Sequence, residues 1–483
     1  MGILSNLEPK SVFNYFEEIS KIPRGSGNEK AISDYLVSFA KNLGLEVIQD
    51  ETLNIVIKKP ATKGYENAPG VILQGHMDMV CEKNKGTEHD FEKDPLKLRI
   101  EGDNIFATGT TLGADNGIAV AYGMAILASN EIEHPALELL LTVDEETGMT
   151  GAMNINAKDV DGKILLNLDS EEEGELLLSC AGGIRSKSTI KVENEKVSEG
   201  FTALEVKLRG LKGGHSGMEI NKGRGNSNKL MGRLLKGLND KYDLRLAHIE
   251  GGSKNNAIPR EADAIFFVPS GDVRNIKEEI VKFEEMFKHE LKVQDPDVTI
   301  EISEATNNGE AFTKDVTDRV INLLYLYPNG VNTMSKSMHG LTESSTNLGI
   351  VSTENGEVVY DSAIRSSVGS LKEEITLRAK TVTELLGGVF TTNAGYPEWE
   401  YNPNSKIREI CVDVYKRMNG EEPKLTAIHA GVECGLFKER LGDLDMISFG
   451  PNLYDVHTPN EHMSIKSVQN VWAYLLEILK EIK

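Results

Sequence analysis

Between residues 70 and 146 the chain passes through three apolar runs with almost no polar interruption: "GVILQGHMD", "NGIAVAYGMAILAS" and "ALELLLTVDEE". The first and third have the length and boundaries of strands buried on both faces, and the second reads as a helix covered on every side. Amphipathic helical spacing precedes them in "SVFNYFEEISKI" and in "EKAISDYLVSFAKNLG", which stops at Gly44. "LEVIQD" and "NIVIKK" add two further strand patterns. This alternation predicts an α/β domain built on a doubly wound sheet with helices on both faces.

The texture changes near Cys180. "FTALEVKLRGL" alternates like a half-exposed strand, "NSNKLMGRLLKGLNDKY" is an amphipathic helix and "DAIFFVPS" is another strand; a second round of such elements follows. That order predicts an antiparallel sheet backed by helices, an α+β domain. The α/β texture returns in "REICVDVYKRMNG", "LDMISFGP" and "SVQNVWAYLLEILKEI". One domain inserted into another accounts for this, with 1–182 and 392–483 forming the outer domain and 183–391 the inserted one.

Charge narrows the function. With a net charge of −22 over 483 residues, a nucleic-acid backbone or an anionic membrane surface is disfavoured as a partner. The N-terminus lacks the basic and apolar regions of a signal peptide, no stretch reaches the ~20 apolar residues of a membrane span, and Asn6 stands where myristoylation requires Ser or Thr. The expected location is cytoplasmic. Cys81, Cys180, Cys411 and Cys434 are scattered without a CxxC pair and read as reduced thiols.

In an open α/β sheet, ligands gather beyond the carboxyl ends of the strands. Polar residues recur there: His76 and Asp78 after "VIL", Asp115 before the apolar helix, Glu145 and Glu146 after "LELLLTV", Asp169 after "ILLNL", and His457 beyond "DMISFG". Converging carboxylates repel one another, and burying them unpaired is expensive, so a cation is the simplest resolution. Imidazoles mixed with carboxylates suit Zn²⁺, Mn²⁺ or Co²⁺ better than Ca²⁺ or Mg²⁺. The candidates exceed what one tetrahedral ion takes, which points to two ions sharing a carboxylate. His76 and Asp78 share a strand face, so Asp78 can fix the tautomer of a ligating His76. Of Glu145 and Glu146, adjacent and facing opposite ways, one can bind metal while the other accepts a proton.

The motifs "GHMDMV", "TLGADNGIA", "DEETGMTGA", "NLDSEEEGE", "CAGG", "GGHSG", "HAGVECGLF" and "GPNLYDVHTPNEHMSI" resemble, in order and spacing, the aminoacyl-histidine dipeptidases of the di-zinc exopeptidase clan. The resemblance spans essentially the whole chain. It implies a doubly wound, mixed-sheet di-zinc peptidase domain carrying an inserted α+β lid and dimerisation domain. It also implies that His76 and Asp169 hold one zinc, Glu146 and His457 the other, and that Asp115 bridges them. Glu145 is then the general base and Asp78 the orienting partner of His76. His215 of "GGHSG" resembles the family residue that helps polarise the scissile carbonyl, and Asn256 and Arg365 resemble groups that hold the substrate carboxylate. His429 and Glu433 of "HAGVECG" resemble part of the substrate pocket. The last ligand motif reads "HTPNE" where relatives often have "HSPDE", with His457 and Glu461 kept.

The implied activity is hydrolysis of dipeptides, including Xaa-His types such as β-alanyl-histidine, by a homodimer using two Zn²⁺, with Co²⁺ or Mn²⁺ as substitutes. A sister enzyme acting on N-acyl amino acids or tripeptides shares every ligand and differs only in substrate panel. A non-catalytic metal-binding protein would lack the base or a ligand. His89, His134, His248, His289, His339 and His462 read as packing or surface residues, and "EEEGE" at 171–175 as a solvated turn.

Overall fold

The apolar runs form the middle of an eight-stranded mixed sheet. A computed structural model describes residues 2–306 and 309–483. The chain divides into one unit of Met1–Ser179, Tyr401–Ala427 and Val432–Lys483, and another of Cys180–Glu400 and Ile428–Gly431.

The first unit's sheet contains β1 (Glu46–Gln49), β2 (Ile55–Lys59), β3 (Val71–His76), β4 (Leu137–Thr142), β5 (Ile164–Asn167), β6 (Glu175–Cys180), β7 (Lys424–Ile428) and β8 (Asp445–Ser448), in the order β1-β2-β4-β3-β5-β8-β6-β7. β3 runs parallel to β4 and β5, and β8 parallel to β5. β2 is antiparallel to β1 and β4, and β6 antiparallel to β8. Every residue of β3, β4 and β5 is buried, as continuous apolar strands require when both faces are covered.

The covering helices are α1 (Lys10–Ile19), α2 (Lys30–Asn42), α3 (Ala114–Ala128), α4 (Lys406–Asn419), α5 (Glu433–Leu441) and α6 (Ile465–Glu481). α1 buries Val12, Phe13, Phe16 and Ile19, the i, i+4, i+7 face of an amphipathic helix. α3 is buried from Ala114 to Leu127, which its uniformly apolar sequence demands. Their side chains merge with those of the strands and of α6 into one core.

Register decides where the strands end. His76 stands opposite Thr142, and Gln74 opposite Asn167, so the loops after β3, β4 and β5 leave at one edge. Gly75 brings α3 against that edge. A β-carbon there would overlap Asn116 Oδ1 and approach Ala119 Cβ to 2.6 Å.

In the second unit the strands pair antiparallel in the order Thr299–Glu304, Phe201–Arg209, Ala262–Pro269, Arg245–Gly251, Thr342–Glu354, Glu357–Ser366, Gly182–Lys191, Val389–Tyr396, with Gly330–Met334 added against Thr342–Glu354. Helices Ser227–Asn239, Val273–Glu290, Lys314–Leu326 and Gly369–Leu385 supply the other half of its core. Both textures read from the sequence, mixed α/β and antiparallel α+β, are therefore present. Among the described residues no helix is long and apolar enough to cross a membrane.

Replacing Gly75 by alanine forces a methyl group into the β3–α3 contact and is expected to cost ~1–3 kcal/mol of stability. Urea denaturation checks this: a lowered midpoint with unchanged slope supports the close approach, and an unchanged midpoint contradicts it.

Candidate metal centre

His76 is the last residue of β3 and is 1% exposed. Its Nε2 lies 3.1 Å from Asp115 Oδ1 and 3.4 Å from Asp169 Oδ1, while Nδ1 faces Asp78 Oδ1 at 3.2 Å. The other Asp115 oxygen, Oδ2, lies 3.2 Å from His457 Nε2, which also faces Glu146 Oε2 at 2.9 Å. Asp115 thus stands between the two imidazoles, with Asp169 on the His76 side and Glu146 on the His457 side.

Local backbone explains how each side chain arrives. Asp115 sits just after Gly113, whose left-handed φ of 63° starts α3, and it keeps non-helical angles within the first turn. Asn116 accepts the His76 N–H at 3.2 Å on Oδ1 and donates to Leu168 O at 2.8 Å, tying α3 to the ends of β3 and β5. Asp144 and His457 adopt φ of 54° and 62°, a region that costs a non-glycine residue of order 1–3 kcal/mol and that clusters at functional sites. Asp78 is fully buried and accepts from Ser26 Oγ at 2.8 Å, Glu145 N at 3.1 Å and Glu146 N at 3.3 Å. Those bonds leave Asp78 facing His76 from behind and fix the turn that carries both glutamates.

The electrostatics are those of a site short of positive charge. Burial opposes an imidazolium at His76, yet Asp169, Asp115 and Asp78 raise its pKa well above the ordinary histidine value. Hydrogen bonds to Asp115 and Glu146 push His457 up to about 10 against burial. Burial also works against ionisation of Asp115, but His457 and His76 hold it far below the usual carboxylate range. Burial, with the charges of Asp169, Glu433 and Glu146, pushes Glu145 up to about 9. Asp169 rises to about 6 through burial and the charges of Asp115 and Glu146. Glu171 rises to about 7 through desolvation and the charges of Asp115 and Asp169, so the acidic run after Asp169 extends the field of the site.

A metal fits this set. Glu146 Oε1 and Asp169 Oδ1 are buried without a hydrogen-bond partner, a costly state that a cation removes. His76, Asp115 and Glu146 each offer a ligand atom, all within 4.8 Å of one another. The imidazole and carboxylate donors match zinc, cobalt or manganese rather than an all-oxygen calcium site. Asp78 stands behind His76 on the nitrogen away from Asp115 and Asp169, the place of an orienting carboxylate.

Glu433 belongs to this unit, not to that of His429. The extended Val432 starts α5, and Glu433 turns into the strand bed, 1% exposed, accepting from Gln74 Nε2 at 2.7 Å and Thr142 Oγ1 at 2.8 Å. Burial pushes its carboxyl up to about 8.

The remaining candidates form a cluster in the second unit. The short strand Gly214–His215 pairs with Ala257–Ile258, and Ser216 N donates to Asn256 O at 2.9 Å. His215 Nδ1 accepts from the N–H groups of Gly217 and Met218 at 3.3 and 3.2 Å, which assigns the proton to Nε2. Arg365 is opposite Ser345 in the sheet, and its Nη1 donates to Tyr396 Oη at 2.5 Å. His429 Nε2 lies 2.7 Å from Ser345 Oγ, and burial with the Arg365 charge pushes its pKa down to about 3. Burial and Arg365 lower His215 as well. Neutral imidazoles around a half-buried guanidinium suit an anionic group.

Three residues of consequence carry no motif signal, and a fourth, Glu461, is kept in the "HTPNE" motif without a role. Arg24, Ser26 and Glu29 of "RGSGNE" all contact the loops at the strand ends. Glu461 accepts the N–H groups of Leu112, Gly113, Ala114 and Asp115 at 2.8, 3.0, 2.8 and 3.4 Å and so caps the start of α3. Of the histidines expected to pack, His134 bonds Pro135 O, His89 meets Phe91 edge-on and His462 stacks on Phe106 and Tyr454.

Residues 72–481 match the model of peptidase family M20/M25/M40. The chain belongs to this family. The cytosol non-specific dipeptidase of Escherichia coli (strain K12) is 40% identical over 482 residues, covering 100% of this chain and 99% of that one. The crystal structure of aminoacylhistidine dipeptidase from Vibrio alginolyticus superposes with a TM-score of 0.97 at 42% identity, covering 99% of this chain and 98% of that one. An aminopeptidase from Bacillus cereus shares the fold, with a TM-score of 0.57 at 16% identity and 99% coverage of both chains. The resemblance to aminoacyl-histidine dipeptidases read from the motifs is borne out, and this peptidase is a hydrolase of peptide bonds.

A metal that takes His457 as a ligand must displace the proton that this residue holds below about pH 10. Affinity for zinc is therefore expected to rise with pH from 6 to 9, with proton release on binding. Calorimetry in buffers of different ionisation enthalpy checks both, and a pH-independent affinity with no proton release contradicts the assignment.

Proposed function

We propose that this family member is a cytoplasmic dipeptidase that holds two zinc ions, replaceable by cobalt or manganese, and hydrolyses dipeptides including Xaa-His types such as β-alanyl-histidine. The observation that carries the reading is the convergence of His76, Asp115 and Glu146 with unpartnered buried carboxylate oxygens at the strand ends. The dipeptidases of E. coli and V. alginolyticus, alike over the full length, supply the substrate class.

In this reading His76 and Asp169 hold one ion, Glu146 and His457 the other, and Asp115 joins them. Bound there, the ions would supply Lewis acidity, lowering the pKa of a water molecule toward neutrality and polarising the scissile carbonyl. The chain's own residues do the rest. Asp78 holds the His76 ring so that Nε2 faces the site. Glu145, desolvated and held by its N–H on Asp78, takes a proton from the attacking water and returns it to the leaving amine. His215, with its proton on Nε2, donates to the developing oxyanion. Arg365 and Asn256 receive the substrate carboxylate, and neutral His429 lines that pocket. Glu433 holds the strand bed beneath. We assign residues 183–391 to a lid through which the protein forms a homodimer, again on the likeness to the dipeptidases.

A panel of dipeptides, tripeptides and N-acyl amino acids tests the substrate class. Dipeptides are expected to turn over, a chelator to abolish turnover, and zinc, cobalt or manganese to restore it. Preferential turnover of tripeptides or acyl amino acids contradicts the reading. Glu145→Gln should keep two metals per chain while kcat falls by about 10³-fold or more. Near-normal kcat in that variant removes Glu145 from the mechanism.

A further inference from the structure

Among the described residues Arg24 is the largest fully buried side chain, and the hydrogen bonds it makes there all go to backbone carbonyls. Nη1 donates to Met77 O at 2.9 Å and to Asp78 O at 3.1 Å, and Nη2 donates to Gly113 O. Met77 and Asp78 directly follow His76, and Gly113 lies two residues before Asp115. One guanidinium therefore clamps the two loops that carry ligands from β3 and α3.

The rest of the segment acts in the same direction. Gly25 bridges Met79 in parallel, and Ser26 Oγ donates to Asp78 Oδ2 at 2.8 Å. Glu29 Oε1 accepts the Asp144 N–H at 3.0 Å, which holds the turn before Glu145 and Glu146. From the far side, Glu461 grips the N–H groups of residues 112–115 while Arg24 grips the carbonyl of Gly113. Gly113 has no room for a side chain, since a β-carbon there would lie 2.5 Å from Arg24 Nη2.

The charges of Glu461, Asp78 and Asp115 act on this buried cation and favour its charged form against burial. A guanidinium beside acids usually forms a bidentate ion pair, which would occupy the oxygens a metal needs. Here both Nη groups donate to carbonyls and Nε is buried with no hydrogen-bond partner, so no donor of the guanidinium is spent on a carboxylate and its charge compensates the acidic site without competing for ligand atoms.

We propose that Arg24, seated on the Arg24–Glu29 segment, is a positioning residue of the metal centre that sets the spacing of the His76 and Asp115 loops and thereby the affinity for metal. This inference rests on the metal-ligand assignment above. Lysine keeps the charge but loses the fixed fork, and methionine loses both.

The test is zinc titration of the metal-free, full-length protein against a competing chelator, for wild type, Arg24→Lys, Arg24→Met, Ser26→Ala and His76→Ala. Arg24→Met is expected to bind zinc about 10- to 100-fold more weakly, with Arg24→Lys weakened as well and Ser26→Ala showing a smaller loss in the same direction. Thermal midpoints of the metal-free and zinc-loaded proteins separate positioning from general packing. Positioning narrows the gap between the two midpoints, because less binding energy is available to stabilise the loaded form. A purely structural role lowers both midpoints equally, leaves affinity unchanged, and overturns the proposal. If Arg24→Met does not fold, Arg24→Lys and Ser26→Ala decide, and wild-type affinity in both overturns it. Wild type that takes up no zinc, or His76→Ala that binds like wild type, overturns the ligand assignment itself instead.

Discussion

Bringing Asp115, Glu146 and Asp169 together in a desolvated crevice is the constraint around which the first unit is organised. Like charges at this separation oppose folding unless something answers them. The chain supplies several answers, each in a different form. Two imidazoles stand against Asp115, four backbone N–H groups hold the Glu461 carboxylate, and a buried guanidinium lends charge through carbonyl contacts. Glu146 Oε1 and Asp169 Oδ1 still have no hydrogen-bond partner, and this remainder is what a metal completes.

That constraint explains why the site lies where it does. Parallel β3, β4 and β5 end at one edge, and the loops beyond them are the only backbone that can project acids inward without interrupting a buried ladder. Left-handed Asp144 and His457 show the local conformational cost of aiming those loops. Glu145, in the turn between these acids, is lifted by burial and by its acidic neighbours together.

Much of this was legible in the sequence because periodicity reports burial. Continuous apolar runs announced β3, β4 and α3, and a polar residue at the end of such a run stands out against them. The two-residue spacing of His76 and Asp78 predicted a shared face, and the structure puts Asp78 on the ring nitrogen away from the other acids. Arg24 escaped that reading for a physical reason: it acts through backbone carbonyls 53 to 89 positions away, and such contacts leave no local pattern. Glu461 was visible as a kept residue of the "HTPNE" motif, but its capping role was not, since its four donors lie in a loop about 350 residues earlier. His429 and Glu433, read together as one motif, fall in different units because the chain changes conformation at Val432, where α5 begins.

The central claim is that the acids at the strand ends exist to hold two cations joined by Asp115, with Asp78 behind His76 and outside the coordination sphere. Anomalous diffraction at the zinc absorption edge, on crystals grown with zinc, tests it most directly. The account predicts two peaks per chain about 3.5–4 Å apart, one within bonding distance of His76 and Asp169, the other of Glu146 and His457, with Asp115 touching both. A single peak, or a peak in bonding contact with Asp78, would contradict it.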